Sequence, residues 1–159
     1  MSLINTTKTE FAGIVPLSTV LLRVKKEPTF HLSARSGGKS LVFVFEVAEP
    51  STVQDKAGNE IAIGGLELSQ YIPVEGKGLF RFVEFHQALR DNSNDVPVEI
   101  ELDDQSGLPV GITYTGMSFY ANVKSQVQEL KNGDQAMLNP LTGKAQTTSR
   151  LELIKFITS

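Results

Sequence analysis

The chain has 159 residues, 40% of them hydrophobic, no cysteine and a formal net charge of −3. That length buries one good core and suits a single domain, while the lack of cysteine excludes disulfides, thiolate catalysis and thiolate metal sites together. The charge is polarised: residues 1–45 carry six Lys or Arg against two acids (+4), residues 46–105 carry 13 acids against four bases (−9), and residues 106–159 return to +2. Such separation can draw a polyanion to one face, though it also fits an ordinary solvated surface.

The start, MSLINTTK, has no charged segment followed by an apolar run, so no signal peptide is expected, and residues 1–10 read as a disordered N-terminus. Residues 17–26, LSTVLLRVKK, alternate Val20, Leu22 and Val24 against Leu21, Arg23 and Lys25, the period of a half-buried strand. A polar loop, HLSARSGGKS, follows, turning at Gly37-Gly38. LVFVFEV at 41–47 is apolar on both parities and suits a central strand covered on both faces. Residues 50–64 read as a connection with a turn at Gly58-Asn59 and a short strand over 61–63.

From Gly78 the period changes. Leu79, Phe82, Phe85, His86 and Leu89 share one helical face, which predicts a helix over 78–90, ended by the polar DNSND at 91–95. Alternation then resumes through Val98, Ile100 and Leu102, through Val110, Ile112 and Tyr114, and through Phe119, Ala121 and Val123, predicting a three-stranded meander over 97–124. Residues 125–148 read as a long loop with a short helical piece at 125–131, and LELIKFI at 151–157 as the last strand. No stretch approaches about 18 apolar residues, so no membrane span is expected. The order suits a mainly β, small antiparallel OB-like barrel with one helix plugging an end, formed by residues 1–159 as one domain. A helix on an open antiparallel sheet is the competing architecture.

Enzyme signals are poor. GGKS at 37–40 resembles the end of a phosphate-binding loop, but the required earlier glycine is Ser33 and a strand rather than a helix follows. The two histidines are too few and too far apart for a metal site, and His86 suits a core or interface position with its ring nitrogens satisfied. Asp91, Asp95, Asp103 and Asp104 fit turn chemistry better than acid–base work. The expectation is a non-catalytic protein with no cofactor and no metal.

What remains is basic residues with aromatics among them. Arg23, Lys25, Arg35, Lys39 and Lys124 are the candidate phosphate contacts, and Phe30, His31 and Tyr120 the candidate stacking platforms. Single-stranded nucleic acid is held by that combination of positive groove and aromatic faces.

The layout resembles small phage-encoded single-stranded DNA-binding proteins built on an OB fold. The likeness lies in VLLRVKK (20–26), SGGKSLVFVFEV (36–47), LFRFVEFHQAL (79–89) and VEIELDDQSGLPVGITYTGMSFYANVKS (98–125). It implies single-stranded DNA as the partner, bound with little sequence preference during viral or plasmid DNA replication or recombination. Homo-oligomers, contacts with replication or recombination proteins, no membrane partner and a cytoplasmic location (the host cytoplasm for a viral protein) complete that expectation. Two features depart from the pattern: the chain ends in LELIKFITS where the familiar bacterial type has an acidic tail, and it has no Trp. The rival expectation is a virion or tail structural module making protein contacts through the barrel and loop 125–148.

Overall fold

A computed structural model describes residues 14–129, 131–132, 135–136 and 147–158, with side chains over 14–125 and 150–158. The expected disorder of residues 1–10 lies outside them. The elements run β1 (Ser18–Leu32), β2 (Lys39–Glu49), β3 (Thr52–Gln54), β4 (Glu60–Ala62), β5 (Glu67–Pro73), a single turn at Gly76–Gly78, α1 (Leu79–Asn92), β6 (Glu101–Leu102), β7 (Pro109–Val110), β8 (Ser118–Glu129), β9 (Lys131–Asn132), β10 (Gln135–Ala136) and β11 (Thr147–Phe156).

Five strands form one antiparallel sheet in the order β11-β8-β1-β2-β5. Its outer members β5 and β11 approach each other, so the sheet curls into a nearly closed barrel. A helix inserted between the third and fourth long strands completes an OB-like arrangement.

Period-two patterning sends one parity of every long strand inward. Val20, Leu22 and Val24 of β1, Leu41, Phe43, Phe45 and Val47 of β2, Leu68 and Ile72 of β5, Phe119, Ala121 and Val123 of β8, and Leu153 and Phe156 of β11 are all buried. The helix closes this core from one side. Its Phe85 ring lies 4.7 Å from Phe43, 5.6 Å from Phe45, 5.3 Å from Phe119 and 5.4 Å from Phe156, joining three strands at one point. A Cβ at Gly78 would sit 2.5 Å from Cγ of Pro73, so the glycine lets the helix start against the end of β5.

Several expectations need correction. Strand β1 runs on to Leu32 rather than ending at 26, because two irregularities of register carry it past Pro28, which cannot donate to the ladder. β2 is central as expected, but only its inner parity is buried; Val42, Val44 and Glu46 are half-exposed. The whole strand β5 has no counterpart among the expected elements, since Gln70 interrupts its apolar parity between Leu68 and Ile72. The meander over 97–124 is a hairpin of two-residue strands followed by the long β8, and Val98, expected inward, is 81% exposed. Instead of a helical piece at 125–131, β8 continues to Glu129, paired with β11 as far as Thr147. On α1, Leu79 is exposed and Phe82 only half-buried. No helix among the described residues is long and apolar enough to cross a membrane.

Candidate nucleic-acid interface

The inward parity is spent on the core, so the opposite parity of β1, β2 and β5 forms the outer face of the barrel. Register arranges it in rows: Arg23, Glu46 and Glu67; Lys26, Val44 and Ser69; Thr29, Val42 and Tyr71; His31, Ser40 and Pro73. The basic loop 33–38 joins β1 to β2 at the far end of these rows. It is a hairpin connection, held by Ser33 N–H donating to Gly38 O (2.9 Å) and Gly37 N–H donating to Ser33 O (2.9 Å). Gly37 takes a positive φ of 70° there, which suits glycine and fits no phosphate-binding loop followed by a helix.

His31 does not stand alone on this face. Its ring lies 4.9 Å from that of Tyr71 in an edge-on arrangement, and Tyr71 is 53% exposed. Tyr71 is missing from the sequence-derived candidates because its strand is. Lys26, exposed opposite Val44, is missing too, although it adjoins the candidate Lys25.

Arg23 and Lys25 lie on the outer face as expected, but each is engaged. The Arg23 guanidinium donates through Nε (3.0 Å) and a terminal nitrogen (2.8 Å) to Oε1 of Glu46. The Lys25 ammonium is bonded to the carboxylate of Glu67. That hydrogen bond, against some desolvation, holds the Lys25 ammonium above its ordinary range.

Phe30 and Lys39 belong elsewhere. Phe30 pairs with Leu41 and Lys39 with Leu32, so both take the parity opposite to His31. They line a cleft of about 490 Å³ at the barrel's end, facing Glu75, Asp103 and Asp104. Phe30 is 38% exposed, and its ring packs under the β6–β7 turn so closely that a Cβ on Gly107 would meet it at 2.5 Å. A carboxylate-lined cleft repels phosphate, so these two residues leave the candidate face.

Tyr120, 46% exposed, sits opposite Leu21 on β8, one strand outward from β1. Lys124 lies further along β8 opposite Glu152 of β11. Both extend the outer face, but neither adjoins the His31–Tyr71 pair. Arg35 is exposed at the tip of loop 33–38, four residues after His31.

A polar knot holds β1 in place behind this face. The Glu27 carboxylate accepts from Tyr114 N–H (3.0 Å), Thr115 N–H (2.7 Å) and the Thr115 hydroxyl (2.5 Å). Partial burial alone would raise its pKa, but these three bonds outweigh it and hold the carboxyl below the usual range. Beside it, His86 is 2% exposed, with Nδ1 2.7 Å from Phe82 O and Nε2 2.6 Å from the Tyr114 hydroxyl. Since a carbonyl only accepts, Nδ1 carries the proton and Nε2 accepts from Tyr114. His86 is therefore the satisfied core histidine expected of it, and burial pushes its pKa down to about 4. Comparison with protein-family models, with curated proteins and with solved structures gives no match.

Proposed function

We propose that the protein binds single-stranded DNA, without catalysis and with little sequence preference, through the outer face of β1, β2 and β5 together with loop 33–38. The observation that carries this reading is the His31–Tyr71 pair, a half-buried His31 against an exposed Tyr71, on the outer face of an OB-like barrel, with exposed Lys26 on the same face and exposed Arg35 in the loop that follows His31. Aromatic faces accept any base, and adjacent cations neutralise the phosphates between them. A place in viral or plasmid replication or recombination follows from the sequence resemblance alone.

The test is titration of fluorescent oligo-dT at two salt concentrations. Tyr71→Ala should weaken binding about 5- to 150-fold, the equivalent of about 1–3 kcal/mol of stacking, with little change in salt dependence. Lys26→Glu with Arg35→Glu should weaken it for every sequence and flatten log affinity against log salt by roughly 0.7 for each phosphate that is no longer neutralised. Wild-type protein that ignores oligo-dT at low salt would end this reading.

A second reading has one specific observation behind it. Phe80 and Val83 of α1 and Ile154 of β11 are exposed apolar residues, and the groove between these elements measures about 310 Å³. If oligo-dT fails to bind, a protein-interaction module built on this patch takes the lead.

A further inference from the structure

We infer that Glu46 and Glu67 set the affinity of the outer face by competing, within the chain, with nucleic-acid phosphates for Arg23 and Lys25. The inference rests on the proposed single-strand binding and adds to it two residues of the opposite charge. Glu46 stands directly across from Arg23, and Glu67 directly across from Glu46, so one row of the face carries a cation and two acids. Lys25 reaches the same row by its bond to Glu67. Both cations of this row are thus already matched by a carboxylate.

The row lies close to the aromatic pair. Glu67 and Tyr71 are four residues apart on β5, which is about 13 Å along a strand. An oligonucleotide stacked on Tyr71 and running along β5 towards its start meets this row within two or three nucleotides. To bind there, a phosphate must displace a carboxylate from its cation and then tolerate the freed negative charge nearby. Both effects lower affinity, and both act on any polyanion. Exposed ion pairs are individually weak, so the exchange is feasible, and each pair restrains its cation by only a few-fold.

The acids are not needed to hold the sheet. Away from the Phe30 cleft, the inner parity of β1, β2 and β5 is buried and carries the packing, whereas these four side chains stand on the solvent side. Removing their charge should leave the barrel intact, which a thermal melt can verify.

The experiment compares wild type, Glu46→Gln/Glu67→Gln, and the quadruple variant that adds Arg23→Gln and Lys25→Gln, each titrated with labelled oligo-dT at two salt concentrations. The double variant should bind about tenfold more tightly, from two few-fold releases. Its salt dependence should steepen by roughly 0.7 for each phosphate newly neutralised. The quadruple variant should lose that gain. Tighter binding by the double variant where wild type binds only weakly would equally support the inference. An affinity within twofold of wild type, while Lys26→Glu/Arg35→Glu still weakens binding, would overturn the competition and leave the single-strand reading standing. A gain that survives in the quadruple variant would also overturn it, because Arg23 and Lys25 would then have no part in the gain. If neither wild type nor the double variant binds at low salt, the competition and the single-strand reading fail together.

Discussion

Phe85→Ala is expected to be the most damaging single truncation in the helix, lowering stability by about 3–5 kcal/mol through lost burial and the cavity left behind. The ring is fully buried and packs against Phe43, Phe45, Phe119 and Phe156, so no one neighbour can collapse into its place without leaving another strand. For a domain of this size the melting temperature should fall by roughly 2–4 °C per kcal/mol, a shift that calorimetry resolves easily. Phe82→Ala should cost clearly less. Phe82 is half-buried; its ring packs on His86 at 4.2 Å, but the carbonyl that His86 bonds is backbone, which alanine keeps. Equal losses in the two variants would show that the helix does not plug the barrel through Phe85.

The contrast between these two phenylalanines shows how far the sequence can be read. A 3.6-residue period identifies the helix and its inward stripe, but five residues on one stripe do not say which of them reaches the centre. That depends on how the helix tilts over the barrel mouth, a tertiary fact. Strand β2 is legible because its inner parity is uniformly apolar. Strand β5 is not, because Gln70 sits between Leu68 and Ile72 and a turn-like Pro73 closes the run. With β5 hidden, Tyr71 is invisible as the neighbour of His31, although His31 itself stands out. The same limit explains Phe30 and His31, adjacent in sequence yet on opposite sides of the sheet. The two register irregularities after Val24 cancel, so the alternation of Val20, Leu22 and Val24 resumes with Phe30 inward and His31 outward, which stays hidden while the strand is read as ending at 26. Charge is illegible for a different reason. Alternation places Arg23 and Lys25 outward correctly, but the acids that meet them lie 23 and 42 residues away in sequence.

Acid should destabilise the protein in two separable stages. His86 has a folded pKa of about 4 against an ordinary value of 6.5, so between these values the unfolded chain binds the proton and the folded one does not. Stability is then full above about pH 6.5 and falls as pH drops towards 4. The total is on the order of 3 kcal/mol, taking about 1.36 kcal/mol per pKa unit. Protonation would also turn Nε2 into a donor facing the Tyr114 hydroxyl, which now donates to it. Glu27 adds its loss lower down. Its folded pKa lies below 4.5, so the stability it contributes is present above that value and disappears as pH falls through the folded pKa. Urea titrations at pH 7, 5.5 and 4 should show the first stage, and His86→Gln should flatten it whatever its effect at pH 7. A wild-type midpoint unchanged between pH 7 and 4.5 would contradict the buried, neutral assignment of His86.

The pairing of β8 with β11 bears on how this chain could change over evolution. Glu129 and Thr147 are cross-strand partners, at the end of a two-stranded ribbon that continues beyond the reach of β1. The ends of the intervening segment are therefore already brought together by the ladder. Doubling the length of such a connection adds only about 0.6 kcal/mol of closure entropy. A change in the length of this connection therefore costs the barrel little closure entropy, because the ladder on either side fixes its register.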